Sequence, residues 1–201
     1  SSEVIVQVID SGIELDHPDM QGSYWINPCE EEDGADTCGN GYVDDIYGYN
    51  FADGTASPEI VDPSVESNSH GLHVSGTIAA RNNNSEGVAS VAGGDGTADS
   101  GVRIMTGLTF GSSVTGFAEA LIYGADNGAI ISNNSWGYTS PGVFEQPVLD
   151  AIDYFVAEAG GPDAPMDGGI VVVAAGNSNS DDEWYPGYYE PAFTVAGTQH
   201  N

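Results

Sequence analysis

The chain has 201 residues, of which 40% are hydrophobic, and this is enough material for one sizeable core. It carries 31 acidic residues against 2 basic ones, for a formal net charge of −29, and a field of this sign repels nucleic acids and anionic membranes. Since no apolar run approaches the ~20 residues that span a bilayer, we expect neither nucleic acid nor membrane as a partner.

Apolar segments rich in β-branched residues alternate with segments of helical periodicity along the chain. Continuous apolar runs are typical of strands buried on both faces, so the pattern predicts an α/β protein with a parallel sheet. The predicted strands, the last of them an inner one, cover residues 4–9, 102–106, 129–133, 170–174 and 192–196. The predicted helices cover 70–80, 113–126 and 145–159, and the Gly- and Asp-rich segments near 30–66, 93–101 and 160–169 are expected to be loops.

Two polar motifs stand where such a sheet would place functional groups. In the segment VIDSG, Asp10 lies at the carboxyl end of the first predicted strand. The carboxyl ends of the strands are the usual location of a functional site in open α/β sheets. The second motif, HGLHVSGT, begins a helix with His70. Because a carboxylate that orients an imidazole creates a general base, the two residues suggest two members of a serine-protease triad.

With a third motif, VVAAGN at 172–177, the chain resembles the subtilisin-like serine proteases, whose catalytic groups follow in the order Asp, His, Ser. The resemblance implies a three-layer, parallel-sheet α/β fold that is incomplete at both ends. It also implies a partial peptidase catalytic domain over 1–201, with an acidic loop insertion at about 27–66. It assigns Asp10 as the orienting carboxylate, His70 as the general base and Asn177 as the oxyanion-hole amide.

The family's nucleophile motif, Gly-Thr-Ser-Met-Ala, is absent from the sequence. We expect the chain to be part of a longer, secreted endopeptidase that cleaves peptide bonds through an acyl-enzyme and whose serine lies beyond residue 201. The 201 residues alone would then be inactive, and the partners would be protein or peptide substrates and the rest of the same catalytic domain. The alternatives are a serine-less pseudoprotease that binds peptides or calcium, and an unrelated acidic α/β domain whose motifs match by chance.

The resemblance also implies a peptide-binding cleft, because family members pair their backbone with an extended substrate. The substrate-binding edge would be Ser135, Trp136 and Gly137, and a wall of the primary specificity pocket would be Ala174, Ala175 and Gly176. Trp184 stands where the family often has a small residue, which indicates a shallow or reshaped pocket unless this side chain belongs to the core. Pro186 is a candidate cis proline in the neighbouring turn.

Two segments resemble calcium sites, and no organic cofactor is indicated. The loop at 36–45 is similar to an EF-hand loop, with Asp36, Asn40 and Asp44 as oxygen ligands, and the alternative is an acidic solvated loop. The second segment is similar to the tight calcium site of the family. Its ligands would be Asp19, Asn83 and the backbone carbonyls of Arg81 and Val88.

The two cysteines, Cys29 and Cys38, lie close together in an acidic, Gly-rich loop. Without a nearby pair of histidines they are a poor zinc site, so a disulfide is expected rather than free thiols, and with it an oxidising, extracellular location. The acid excess has three interpretations: solubility in a salty medium, binding of divalent cations and attraction of basic peptides. Its self-repulsion predicts that salt or calcium raises stability.

Overall fold

The computed structural model describes residues 4–60, 65, 67–97, 100–161 and 164–198. Within these residues, six strands form one sheet in the order β2-β3-β1-β4-β5-β6, and every neighbouring pair is parallel. The strands are β1 Ile5–Asp10, β2 Gly48–Asn50, β3 Arg103–Leu108, β4 Ile131–Asn134, β5 Ile170–Ala174 and β6 Phe193–Val195. The helices are α1 His70–Ala79, α2 Phe117–Asp126 and α3 Gln146–Glu158, with a short 3-10 helix at Pro18–Met20. The predicted α/β class with a parallel sheet is confirmed.

Alternating side chains of β1 divide the apolar interior into two cores, one on each face of the sheet. Val6 and Val8 pack with Ala79 of α1 in one cluster. Ile9 packs in the other cluster with residues of α2 and α3, among them Phe155. Helices therefore cover both faces of the sheet, which gives the three layers that the sequence predicts.

Three details differ from the sequence prediction. Strand β2 lies inside the segment 27–66, which was predicted to be loop throughout. Helix α2 begins at Phe117 rather than at 113, because Gly116 adopts a φ of +85°, which is outside the helical region. Strand β6 was predicted to be an inner strand, but it lies at the sheet edge with Phe193 and Val195 exposed.

Parts of the three predicted loops, at 61–64, 66, 98–99 and 162–163, lie outside the described residues. Within the described part of the chain, no helix combines the length and apolar character needed to cross a bilayer.

Candidate active site

An aspartate and a histidine meet at the carboxyl end of β1. Nδ1 of His70 lies 2.8 Å from Oδ1 and 2.9 Å from Oδ2 of Asp10. The carboxylate side chain is 4% exposed, whereas the imidazole is 52% exposed. When Asp10 is ionised, Nδ1 carries the shared proton, and Nε2 is the nitrogen that can accept another. The pair has the chemistry of a general base oriented by a buried carboxylate.

Close packing of backbone holds the pair in place. A Cβ added to Gly71 would lie 2.7 Å from the carbonyl oxygen of Gly12 and 3.0 Å from Cβ of Asp10, so only glycine fits without movement. The hydroxyl of Ser11 accepts a hydrogen bond from the Gly71 N–H at 2.9 Å and donates one to the carbonyl of Asn68 at 2.7 Å. These bonds fix the first turn of α1 against the end of β1. The sequence analysis did not identify Ser11 or Gly71, although both adjoin the motif residues.

Two adjoining cavities form a cleft that starts at this pair. The first, of about 480 Å³, is lined by Asp10, His70 and the segment 135–137. The second, of about 400 Å³, shares the segment 135–137 and is lined also by the segment 174–177. The structure thus brings together the nine residues predicted for catalysis and substrate binding: Asp10, His70, Asn177, Ser135, Trp136, Gly137, Ala174, Ala175 and Gly176.

Strand register explains why these distant segments meet. Strands β4 and β5 are parallel neighbours, and Asn134 pairs with Val173, so the residues that follow each strand emerge side by side. The Trp136 indole is buried, stacks on Phe117 at 4.1 Å between ring centroids and donates to Oδ1 of Asn134 at 3.1 Å. These contacts hold the Trp136 ring in place beside the two cavities, both of which it lines.

The far end of the cleft contains Trp184 and Asn177. Trp184 lines the second cavity, and its indole N–H donates to Oγ of Ser180 at 3.1 Å. The Tyr185–Pro186 peptide bond is cis. Asn177 is exposed and follows Gly176, whose φ of +85° turns the chain just after β5. A large aromatic ring therefore borders the pocket close to the amide that was predicted to bind an oxyanion.

In the segment that was predicted to bind calcium near Asp19, the Asp19 carboxylate accepts hydrogen bonds from the loop 81–88. The Asp19 carboxylate is buried, accepts a bond from Nδ2 of Asn84 at 2.8 Å, and accepts another from the Val88 N–H at 2.7 Å. Asn83, the residue named from the sequence, instead donates to the carbonyl of Asp95 at 3.0 Å. The φ of Asn83 is +60°.

That segment fits a hard cation in part. Asp19 supplies a buried carboxylate. Asn84 supplies an amide that can present its oxygen in place of its nitrogen by a flip of the side chain. The backbone of Gly87 lies so close to the Asp19 carboxylate that an added Cβ would collide with it. The hydrogen bonds that the Asp19 carboxylate accepts come from the Asn84 amide and the Val88 N–H. The Val88 group that reaches Asp19 is its N–H, and the backbone N–H of Arg81 donates to the Asp19 carbonyl at 2.9 Å.

In the EF-hand-like loop, the predicted ligands make hydrogen bonds within the loop. The Asp36 carboxylate accepts bonds from the N–H groups of Asn40 and Gly41 at 3.0 and 2.8 Å. Oδ1 of Asp44 accepts bonds from the N–H groups of Asp33 and Gly34 at 3.1 and 2.9 Å. The amide of Asn40 donates to Asp45 at 3.0 Å. Oxygens of Asp36 and Asp44 thus accept hydrogen bonds from backbone N–H groups of the same loop.

Cys29 and Cys38 form a disulfide in the same loop. Cys38 also lies in a group with Glu30 and Asp45 whose ligand atoms are all within 4.8 Å of one another. The sequence analysis missed Glu30 and Asp45, because nothing in a run of acidic residues marks the two that become buried.

The fold and the site together define a class of α/β proteins with an Asp–His pair and a cleft at the carboxyl ends of parallel strands. The family model described as "Subtilase family" matches residues 1–201, and the chain belongs to that family. Among curated relatives, it is 29% identical to thermitase of Thermoactinomyces vulgaris, over 98% of this chain and 55% of that protein. It is 44% identical to subtilisin-like protease 1 of Plasmodium berghei (strain Anka), over 42% of this chain and 13% of that protein.

Solved structures show the same fold. The psychrophilic subtilisin-like protease Apa1 from the Antarctic psychrotroph Pseudoalteromonas sp. AS-11 aligns with a TM-score of 0.61 at 20% identity, covering 95% of this chain and 35% of that chain. The prenylagaramide maturation protease PagA aligns with a TM-score of 0.59 at 17% identity, covering 95% of this chain and 52% of that one. The chain thus spans about half, or less, of the length of each of these relatives.

Proposed function

We propose that this chain is the Asp- and His-bearing part of a secreted subtilisin-like serine endopeptidase. The observation that carries the proposal is the two-oxygen contact of Asp10 with His70 at the mouth of a cleft that extends to Asn177. The family match supports serine peptidase chemistry. The Cys29–Cys38 disulfide supports an oxidising, extracellular location.

In this mechanism, Nε2 of His70 accepts the proton of a serine hydroxyl while the serine oxygen attacks the substrate carbonyl carbon. Asp10 remains ionised and stabilises the imidazolium that forms. The side-chain amide of Asn177 donates to the oxygen that becomes negative. His70 then returns the proton to the leaving amine, which departs and leaves an acyl-enzyme for water to hydrolyse.

The serine is proposed to lie on chain that follows residue 201. Two facts support this: the motif Gly-Thr-Ser-Met-Ala does not occur in the sequence, and the chain corresponds to only 55% of the length of thermitase. The rest of the catalytic domain is then the first partner of this part of the chain.

The substrates are proposed to be extended peptides that pair with the backbone of residues 135–137, as in strand addition. A Cβ at position 137 would approach the Tyr185 carbonyl to 3.2 Å, so a larger residue there would crowd the loop beside this edge. Calcium is proposed as a structural ion held by Asp19 and the carbonyls of Arg81 and Val88, where it would tie the loop 81–88 to the 3-10 helix. We propose Asn84 rather than Asn83 as the amide ligand, because Asn84 is the asparagine that contacts the Asp19 carboxylate.

The test uses the full-length protein, a fluorophosphonate that labels activated serines, and a peptide substrate with a chromogenic leaving group. We expect labelling and turnover in the wild type, and a loss of at least about 10²-fold in kcat for His70→Ala. We expect Asn177→Ala to lose about 10²–10³-fold. His73→Ala is the matched control, because it lies on the same helix but lines a different cavity.

Retention of turnover in His70→Ala would remove this residue from the mechanism. A full-length protein that takes no label and cleaves no peptide, but binds peptides, would instead be the serine-less pseudoprotease.

A further inference from the structure

Three aromatic rings lie in a row on the surface beside the cleft. Ring centroids are 4.9 Å apart for Phe144 and Tyr185 and 5.7 Å apart for Tyr185 and Tyr188. Phe144 is 44% exposed and Tyr188 is 54% exposed. Tyr185 lines the second cavity of the cleft, whereas Phe144 and Tyr188 lie outside it. The aromatic row, Phe144, Tyr185 and Tyr188, therefore begins at the cleft and presents apolar surface to whatever extends beyond it.

Backbone hydrogen bonds join the two segments that carry these rings. The Tyr138 N–H donates to the Tyr185 carbonyl at 3.0 Å, and the Gly142 N–H donates to the Glu183 carbonyl at 2.8 Å. Phe144 is thereby brought against Tyr185, although the two residues are distant in sequence. Aromatic side chains have few rotatable bonds, so a row that is already assembled loses little entropy when a partner binds. This arrangement suits a binding surface.

The surroundings of the aromatic row are negatively charged. The segments 138–145 and 181–190 contain five acidic residues, all of them exposed: Glu145, Asp181, Asp182, Glu183 and Glu190. No lysine or arginine occurs after residue 103 in the sequence. Burial raises the pKa of Tyr138, which lines the second cavity, and the charge of Glu145 adds to the effect, so this charge is felt at the cleft. A basic partner would be attracted to such a surface, and an acidic one would be repelled.

We propose that the aromatic row binds a lysine- or arginine-bearing segment of a polypeptide substrate that extends beyond the cleft. A guanidinium or ammonium group is attracted to the face of an aromatic ring, and a guanidinium also stacks on it. The five carboxylates attract the same group over a longer range. A neutral apolar partner would cover the rings but would desolvate the nearby carboxylates without compensation. The inference rests on the proposed function, because it assumes that the cleft receives a peptide.

The test measures peptide binding, so it does not depend on turnover. The protein is the full-length chain with His70→Ala, in which bound peptide is not cleaved. A peptide of alternating alanine and arginine is compared with the same peptide in which citrulline, an uncharged isostere, replaces every arginine. Isothermal titration calorimetry gives both dissociation constants in low salt and in ~1 M NaCl. The variants of the aromatic row are Phe144→Ala, Tyr188→Ala and Tyr188→Phe.

Tyr154→Ala is the matched control. Tyr154 is 38% exposed and its hydroxyl donates to Oδ1 of Asp126 at 2.7 Å, so it too is a surface tyrosine beside a carboxylate. It lies on helix α3 and outside the aromatic row. Since Phe144 and Tyr188 are at least as exposed as Tyr154, none of these substitutions should prevent folding, and thermal unfolding of each variant checks this.

We expect the arginine peptide to bind at least about tenfold more tightly than the citrulline peptide in low salt. Phe144→Ala and Tyr188→Ala should each lower this ratio about three- to fivefold, because each removes one cation–π contact. Tyr188→Phe and Tyr154→Ala should leave the ratio unchanged. In ~1 M NaCl the ratio should fall for every protein, since the carboxylates are screened, while the difference between Tyr188→Ala and Tyr188→Phe persists.

Three outcomes would overturn the proposal. The first is equal affinity for the two peptides, or no binding of either. The second is a ratio that Phe144→Ala and Tyr188→Ala leave unchanged or that Tyr154→Ala lowers equally, because net charge alone would then explain it. The third is a loss of affinity for both peptides by the same factor, which would mean that the aromatic row packs against the rest of the catalytic domain. A full-length protein that takes no fluorophosphonate label would refute the peptidase proposal, whereas these binding ratios would be unaffected.

Discussion

Replacing Gly71 by alanine should damage both stability and turnover, because this glycine sets the distance between α1 and β1. The added Cβ would lie 2.7 Å from the carbonyl oxygen of Gly12, whereas ordinary contact begins at 3.4 Å, so the two atoms would be about 0.7 Å too close. Both are attached to backbone, so α1 must move as a unit and His70 moves with it. Overpacking of this kind costs about 1–3 kcal/mol of unfolding free energy. Misplacement of a catalytic group by close to 1 Å lowers turnover by about 10–100-fold.

The matched control is Gly76→Ala on the same helix, where an added Cβ meets no atom within 4 Å. Alanine has the higher helix propensity, so this variant should be as stable as the wild type or more stable by up to about 1 kcal/mol. Thermal unfolding and kcat/KM of the full-length protein are the assays, and each kcal/mol corresponds to about 2–4 °C in the midpoint for a domain of this size. If Gly71→Ala and Gly76→Ala had equal midpoints and equal turnover, the close packing of Gly71 would not position His70.

Three further predictions concern charge, alkaline pH and specificity. Because the net charge is −29, raising NaCl to ~1 M should raise the unfolding midpoint, and a midpoint that stays constant would contradict the argument from self-repulsion. Burial, with the nearby charges of Glu14, Glu59 and Asp16, raises the pKa of Tyr24 above its ordinary value of 10.0. Above pH 10 the unfolded chain therefore loses this proton while the native protein keeps it, so stability falls as pH rises. Denaturant titrations should show that the free energy of unfolding falls less steeply between pH 10 and 12 in Tyr24→Phe than in the wild type. Equal slopes in the two proteins would exclude the effect. In the full-length enzyme, Trp184→Gly should shift kcat/KM by about tenfold or more toward a large aromatic residue before the scissile bond, as peptide libraries would reveal. An unchanged preference would place Trp184 outside the specificity pocket.

The sequence supports prediction of those parts of the fold whose signals are local. The β-branched run of β1 and the apolar run of β5 identify buried parallel strands without any knowledge of their partners. Asp10 and His70 could be singled out because each stands at the end of such an element and because their motifs resemble those of one family. Asn177 could be predicted as the oxyanion-hole residue because of the same family resemblance. Without that resemblance, a Gly-Asn pair after a strand indicates a common turn.

Features that depend on distant parts of the chain could not be predicted. Strand β2 has three residues and pairs with β3, whose residues lie more than fifty positions further along the chain. Burial of Asp45 depends on the hydroxyl of Tyr123, which belongs to helix α2. Among the three asparagines at 82–84, the one that contacts the Asp19 carboxylate is Asn84, whereas Asn83 contacts the Asp95 carbonyl. In each case the local sequence is compatible with several conformations, and contacts with distant residues determine which conformation forms.

The cleft depends above all on the register of three neighbouring strands. Strands β1, β4 and β5 are adjacent and parallel, so the groups that follow Ile9, Asn134 and Val173 emerge in a row across the sheet, roughly 4.8 Å apart per strand. A slip of one residue in β4 would turn every side chain to the opposite face. Its position is fixed by a buried polar pair, because Gln7 and Ser132 are register partners and the Ser132 hydroxyl donates to Oε1 of Gln7 at 3.1 Å. A slip would leave both groups buried without this bond, at a cost of about 1–3 kcal/mol for each. The same polar pair, far from the reacting atoms, thus fixes where the substrate edge at 135–137 lies relative to His70.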